Sequence, residues 1–500
     1  MIVDLDKLDE DPFIGKTYDV CICGAGVAGI TLARKLSGRL RVLLLEAGGV
    51  KYTRESQDVY KGTSIGRSYF DLSTTRLRYF GGTSNHWTGV CRPLDEHDFR
   101  SWPIDRRDLT PYLDEARSIL DIDSDAVGLS AGPLDAISNA ENLRRVESWQ
   151  SGPAPTNFGT KYRAEIEIRQ NVECFLNANL VNLQLSEDLS TVHSGEVRNY
   201  AGRTFVVEAG NFVLAAGGIE NPRILLNCNR QIPTGIGNQF DLVGRFFSEH
   251  PHHNAGHFLL EDVAKETIAK SWSKKGAARR DFSPTKEFMD KEGILNIQLE
   301  VQPYDPNEQR SFKDAIKGII CRSDLAVDMV KQIRGKEPNC SSAYDGQLLV
   351  ISEQANNPLS RVTLGADLDM FGLKRVLLDW NLSKIDKRTI KHATIALGRA
   401  FADFELGRIQ LAQWLLDDNG VPGLGVAEGY VAGHHHMCTT RMSSSAEEGV
   451  VDKNQRVFGT SNLYIAGSSV FSSGGQANPT FTIVQMTLRL ADYFNGKIVA

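Results

Sequence analysis

Tyr18-Asp-Val-Cys-Ile-Cys-Gly24-Ala-Gly26-Val-Ala-Gly29 is the stretch on which the reading of the fold turns. Tyr18 to Cys23 reads as a short buried strand, the glycines as a turn, and the apolar-periodic run from about Val27 to Leu36 as a helix. Arg41 to Glu46 reads as a second strand, which completes a β-α-β unit of about thirty residues. In such a unit Gly24 permits the tight exit from the strand, Gly26 lets the backbone approach a pyrophosphate with no Cβ in the way, and Gly29 lets the helix pack closely on the sheet. The helix N-terminus offers free N–H groups and the positive end of its dipole to phosphate. Glu46 ends the second strand, where an acid binds an adenosine ribose hydroxyl. A glycine-rich turn that binds nothing is the bland alternative. Strand, turn, helix, strand and terminal acid in one register argue for a dinucleotide site instead.

Working outward, 500 residues exceed what one hydrophobic core usually supports, so two domains are expected. A composition of 41% apolar and 24% charged residues is that of an ordinary globular protein. A formal charge of -6 gives no reason to expect nucleic acid or an anionic membrane as a partner. The cysteines are scattered without a C-x-x-C pair, as expected of free thiols in a reducing compartment. Cys21 and Cys23 fall on one face of their strand, with Ile22 on the other. The acidic start MIVDLDKLDEDPF lacks the apolar region of a signal peptide, and no stretch approaches ~20 uninterrupted apolar residues. A soluble cytoplasmic protein with no membrane partner is the expectation.

Further along, residues 51–75 are polar and turn-rich, and Asp95 to about Asp121 is charged and partly helical. Strand patterns follow at Phe175–Leu185, Thr204–Glu208 and Phe212–Ala216. Asn254 to Gly346 has weak periodicity with helical patches. Gln347–Ser352, Arg361–Leu364 and Val376–Trp380 read as strands, Ile385 to about Leu406 as a helix. The chain closes with a strand at Asn462–Ala466, a glycine turn, and a helix from about Pro479 to Phe494. No internal repeat is visible. Nucleotide-binding signals lie at both ends. One domain is therefore expected to be assembled from distant segments, with the other inserted into it.

Five motifs in order resemble the glucose–methanol–choline (GMC) oxidoreductases. Gly24–Gly29 with Glu46-Ala47-Gly48-Gly49 is similar to their FAD turn, and that likeness favours FAD over NAD. Gly81-Gly82-Thr83-Ser84-Asn85-His86-Trp87-Thr88 resembles the second glycine motif, which runs beside the flavin. Leu214–Pro222, with Ala216 in its turn, resembles the strand and turn that return to the FAD. Val243-Gly244-Arg245 with Glu249-His250-Pro251 resembles the segment leaving for the substrate domain, and the last sixty-odd residues resemble the catalytic segment. The implied fold class is α/β: a Rossmann-like FAD-binding domain with an inserted α+β substrate-binding domain, an antiparallel sheet with helices. The segments implied are 15–100 and 155–253 for FAD, 254–434 mainly for substrate, and 435–500 for catalysis and FAD. His86-Trp87-Thr88 is similar to the pyranose oxidases and other sugar- or glycoside-oxidising members. In pyranose oxidase the matching histidine holds the flavin covalently; a histidine packed beside the ring without a bond is the alternative for His86.

Flavin-dependent alcohol oxidation needs a base for the hydroxyl proton and a hold on the alcohol that aims its C–H at the flavin. Histidine suits the first task because its ordinary pKa lies near working pH. The family's His-x-x-Gly-Thr pattern falls on Gly433-His434-His435-His436-Met437-Cys438-Thr439, and counting back from Thr439 implies His435 as the base, ahead of His436. Cys438 stands where the family has glycine, so a thiol near the active site is expected there. A surface histidine cluster is the bland reading of the run. In Gly474-Gly475-Gln476-Ala477-Asn478-Pro479-Thr480, the resemblance implies that Asn478 holds the substrate hydroxyl. Asn followed by Pro is also what an N-cap and first helical position look like. A helix beginning at Pro479 and Thr480 would turn its positive end toward the flavin's N1–C2=O edge. Asn462 to Ala466 with Gly467 resembles the element that passes the ribityl chain and pyrophosphate.

The histidines at 250, 252, 253 and 257 lack the spacing and acidic or thiol partners of a metal site, so no metal is expected. The absence of a Gly-x-Ser-x-Gly elbow removes a serine hydrolase. The resemblance implies an FAD-dependent oxidoreductase acting on the CH–OH group of a sugar, glycoside or related polyol, with the electron acceptor, oxygen or another carrier, left open. A non-sugar alcohol substrate, aliphatic or sterol, and the non-redox lyase use of the same flavoprotein fold are the alternatives.

Overall fold

The computed structural model describes residues 1–36, 38–122, 133–152, 154–262, 264–265, 280–304, 320, 324–335, 344–424 and 433–496. Its largest sheet has a parallel centre, in which Thr17–Cys23 lies between Val42–Leu45 and Thr204–Leu214. Val172–Leu176 and Ile2–Asp4 extend it in parallel on one side. Leu463–Ile465 pairs in parallel with the end of Thr204–Leu214, whose first half joins the antiparallel strands Val192–Arg198 and Asn179–Leu185. Val42–Leu45 is buried along its whole length, as a strand covered on both faces must be. Cys21 and Cys23 pack into one core and Val20 and Ile22 into the other, the alternation that a strand imposes. The helix Val27–Lys35 lies beside the closing helix Thr480–Phe494, with Ile30 and Ala33 in the same core as Val484 and Leu488.

A second, wholly antiparallel sheet runs in the order Gly407–Leu411, His252–Leu260, Gly346–Ser352, Ile297–Pro303, Arg280–Pro284, Leu143–Val146. The helix Lys384–Asp403 covers one face, burying Leu397 and Phe401 with Phe258, Ile297 and Val350. A small sheet joins Arg361–Leu368, Lys374–Trp380 and Gly62–Gly66, so a strand from the N-terminal part reaches across to the later one. The architecture is α/β, a Rossmann-like unit with an α+β unit built on an antiparallel sheet.

Several local expectations change. Phe175–Leu185 is two strands, Val172–Leu176 and Asn179–Leu185, because Asn177 between them takes a left-handed φ of 57°. The two strands expected at 204–208 and 212–216 are the single strand Thr204–Leu214. The stretch 254–346 carries helical patches at Lys286–Glu292 and Asp324–Arg334, together with the strands His252–Leu260, Arg280–Pro284 and Ile297–Pro303, which were not expected. Residues 51–75 contain a short helix, Arg54–Asp58, and the strand Gly62–Gly66. The strands Ile2–Asp4 and Leu143–Val146 fall outside the expected segments 15–100 and 155–253. The closing helix starts at Thr480 with Pro479 as its N-cap, so Asn478 is not the cap.

Candidate active site

The β-α-β turn is closed by contacts that only glycine allows. A Cβ on Gly29 would lie 1.8 Å from the Gly24 carbonyl oxygen, and one on Gly24, at φ 113°, would lie 2.6 Å from the Ala215 oxygen. A Cβ on Gly26 would meet nothing within 4 Å. That side of the turn opens into a cavity of about 510 Å³. Gly81 N–H donates to the Ala25 carbonyl at 2.8 Å and lays the second glycine loop against the first, so that Gly82 lines the cavity while Gly29 and Gly81 pack behind it. Glu46 is buried, its Oε2 accepting from Ala25 N–H at 2.8 Å and its Oε1 from Gly48 N–H at 2.9 Å. Burial raises its pKa against those bonds and the nearby Arg78.

Ser84, expected to touch the cofactor, has its hydroxyl occupied: it donates to Gly81 O at 2.7 Å and accepts from Phe158 N–H at 3.1 Å. It lines the cavity chiefly as the brace of its loop. Trp87 is held by its Nε1–H to Thr156 O at 2.8 Å, while His86 and Thr88 are exposed to the cavity. Ala216, Gly467, Asn478, Pro479 and Thr480 complete the expected lining. Asn478 Nδ2 donates to Val90 O at 2.9 Å, which uses one of its two amide hydrogens. The helices starting at Val27 and at Thr480 have no side-chain cap, so their first N–H groups stay available where both helices border the cavity.

The histidine run is not on the surface, and it is not a strand. His434, His435 and His436 line the cavity in irregular backbone, with His434 at φ 67°. The buried Glu249 organises them. Its Oε1 accepts the N–H of His435 at 2.7 Å and of His250 at 2.9 Å, and the N–H of His434 also bonds to the carboxyl. Its Oε2 accepts from the Tyr69 hydroxyl, which also meets His436 Nε2 at 3.0 Å. His250 Nδ1 lies 2.9 Å from His435 Nδ1, and its Nε2 faces Gly474 O at 3.4 Å. His434 stands edge-on to Phe70, ring centroids 4.5 Å apart.

Burial, then the neighbouring histidines, drives the pKa of His435 well below the ordinary value; burial and then Arg76 do the same for His436. Burial lowers His250 and His434 to about 4 each. All four are neutral imidazoles at neutral pH. Burial pushes the Glu249 carboxyl up to about 7, against the donors that hold it down.

Cys438 has the left-handed φ, 69°, that its place opposite a family glycine suggests, but its thiol is buried in the core and does not line the cavity. Burial raises it to about 12. Of the histidines at 250–257, His250 and His252 both meet His435, while His253 packs on Trp414 and His257 stacks on Tyr344. Among the described residues no cluster of His, Cys, Asp and Glu could hold a metal ion, and no helix is long and apolar enough to cross a membrane. Sequence reasoning missed Tyr69 and the hub at Glu249. It also missed a buried ion-pair chain along the cavity wall, in which Arg76 meets Glu220 at 3.1 Å, Glu220 meets Arg223 at 2.9 Å, and Arg223 meets Asp369.

These residues fit FAD. The open side of Gly26 and the uncapped Val27 helix suit a pyrophosphate, Glu46 and Arg78 border one end of the cavity, and neutral histidines with the uncapped Thr480 helix border the other.

Residues 357–487 match the C-terminal model of the GMC oxidoreductase family. The chain is 24% identical to the fructose dehydrogenase large subunit of Gluconobacter japonicus over 57% of this chain and 47% of that one, so it spans about half of that relative. It is 24% identical to the 2-methyl-1,2-propanediol dehydrogenase of Mycolicibacterium austroafricanum (83% and 80% covered). It is also 24% identical to the C-glycoside 3-oxidase of Microbacterium trichothecenolyticum (84% and 76%). Among solved structures, pyridoxine 4-oxidase from Mesorbium loti shares the fold with a TM-score of 0.63 at 16% identity, over 96% of this chain and 100% of that one. With its motifs in family order around one cavity, the chain is similar to the GMC oxidoreductases, whose C-terminal model it matches over residues 357–487.

Proposed function

We propose that the protein oxidises a hydroxyl-bearing carbon of a sugar, glycoside or related polyol, with His435 as general base and Asn478 holding the substrate oxygen. The observation that carries this reading is a neutral, half-buried imidazole presented to a cavity whose walls also carry His86, Thr88, His434 and Asn478. FAD, when bound, supplies the hydride acceptor. His435 takes the hydroxyl proton, and its low proton affinity at rest keeps its lone pair available at neutral pH. Asn478 has a second amide hydrogen beyond the one given to Val90 O, and it donates this to the substrate oxygen as negative charge gathers there. Gly24, Gly26, Glu46 and Gly82 hold the dinucleotide end, and His86, Trp87, Pro479 and Thr480 border the flavin. The domain roles follow: the antiparallel sheet with its covering helix forms the substrate side.

The relatives named for fructose and a C-glycoside support the sugar. The relative named for 2-methyl-1,2-propanediol supports a second reading, a small non-sugar diol. An anaerobic panel of monosaccharides, glycosides, short diols and sterols, followed by flavin absorbance, decides between them. Bleaching by a sugar or glycoside is the expected result, and bleaching by short diols alone refutes the sugar. In the same assay His435→Ala is expected to slow reduction by about 10²–10⁴-fold with FAD retained, and His436→Ala by much less. The opposite ranking refutes the choice of His435.

A further inference from the structure

His250 lies beyond the cavity lining, fully buried, yet its ring hydrogen-bonds the ring of His435. The contact is Nδ1 to Nδ1 at 2.9 Å, so one of the two nitrogens must carry the hydrogen and the other the lone pair. The opposite nitrogen of His250 decides which. Nε2 faces the carbonyl oxygen of Gly474 at 3.4 Å, an atom that can only accept. A lone pair there would oppose the carbonyl, so the hydrogen of neutral His250 belongs on Nε2. Its Nδ1 then accepts, and Nδ1 of His435 donates. From this chain of contacts we infer that His250, itself oriented by the Gly474 carbonyl, is a positioning residue that locks His435 in the Nδ1–H tautomer, with the Nε2 lone pair turned to the cavity.

The inference rests on His435 being the base and explains how it is made ready. Neutral imidazole in water favours the other tautomer, in which Nε2 carries the hydrogen and cannot accept a proton. Against a substrate hydroxyl, the locked ring breaks the O–H bond and forms N–H at Nε2, while the hydride leaves the same carbon for the cofactor. The Nδ1–H stays on His435, bonded to His250, which accepts no proton itself. Glu249 supports the arrangement through the backbone: one carboxylate oxygen takes the N–H groups of both His250 and His435, fixing the separation of the two rings.

Two measurements test this on the FAD-loaded protein. Long-range proton–nitrogen correlation on ¹⁵N-histidine-labelled enzyme, with the His435 signal assigned by its loss in His435→Gln, should show hydrogen on Nδ1 and none on Nε2. Hydrogen on Nε2 overturns the inference. Flavin reduction by the substrate found in the panel should slow about 10²-fold in His250→Leu with little change in half-saturation. In His250→Asn, whose Oδ1 falls near the position of the native Nδ1 and can accept, it should stay within about tenfold of wild type. Equal rates in the Leu and Asn variants overturn it. Near-wild-type reduction in His435→Gln would instead remove the base assignment, an outcome distinct from either result at His250.

Discussion

Glu249 offers a sharp test of how the histidine loop is held. Its carboxyl receives the N–H groups of His250, His434 and His435 and the hydroxyl of Tyr69, with Glu249 and His250 fully buried and the others half-buried. Glu249→Ala leaves those donors unpaired. A buried unsatisfied donor costs about 1–3 kcal/mol, so three backbone donors give a lower bound of roughly 3 kcal/mol for the alanine variant relative to one that keeps an acceptor. Glu249→Gln is that variant: its amide oxygen can stay with the backbone N–H groups, and its NH₂ can donate to Tyr69, which then donates to His436. Denaturant unfolding of both variants at pH 8 should therefore separate them by at least about 3 kcal/mol. The wild type adds a sign. Burial raises its carboxyl from an ordinary value of 4.5 to about 7. The stability this group contributes is fully present below pH 4.5 and is lost as pH rises through 7. Relative to Glu249→Gln, which has no charge to bury, the wild type should lose stability from pH 5 to pH 8. Equal stabilities of the Ala and Gln variants would refute the hub, and a wild type that gains on Gln with rising pH would refute the burial argument.

The remaining predictions concern groups around the same cavity. Because burial and its neighbours depress His435, the neutral base persists on the acid side, and flavin reduction should hold its rate as pH falls through 6.5; half-loss at or above pH 6.5 in the pH–rate profile would contradict this. Cys438→Gly should release about 1–2 kcal/mol of left-handed strain against about 1 kcal/mol of lost thiol packing; an unfolding midpoint within a few degrees of wild type and unchanged turnover are expected, and a loss above about 3 kcal/mol would show that the thiol does more than fill space. His86 is expected to pack beside the flavin without a bond, so acid precipitation should release all colour to the supernatant, and a yellow pellet would establish attachment.

What the sequence made legible follows the range of the forces involved. The unit from Thr17 to Leu45 could be read because strand burial, turn and helix period are local, and the glycine contacts need only neighbours in the same turn. The antiparallel sheet was harder. His252–Leu260 alternates buried and half-buried residues, with His257 and Asn254 among the latter, and that alternation dilutes an apolar pattern. Its partners come from 143, 280, 297, 346 and 407, a set that no local signal announces. The motif Glu249-His250-Pro251 was visible, but its purpose lies in bonds to residues 434–436, far along the chain. Cys438 shows the converse. The departure from glycine was plain in the sequence, yet only the backbone angle and the direction of the thiol decide that it belongs to the core.

One physical cause joins His435, the proposed base, to its scaffold. Withdrawing the histidine loop from water keeps His435 neutral, with a lone pair ready at neutral pH, but the same withdrawal penalises any carboxylate placed there to steady it. The fold resolves the conflict by using Glu249 chiefly as an acceptor for backbone N–H groups, bonds that a carbonyl oxygen makes whether or not its partner oxygen carries a proton. The ring of His435 is then left to a neutral partner, His250, rather than to an acid. An acid at that place would raise the proton affinity of His435 and move its titration back toward neutral pH. A histidine orients the ring with a smaller effect on that affinity, and so leaves His435 in the neutral state that the proposed base role requires.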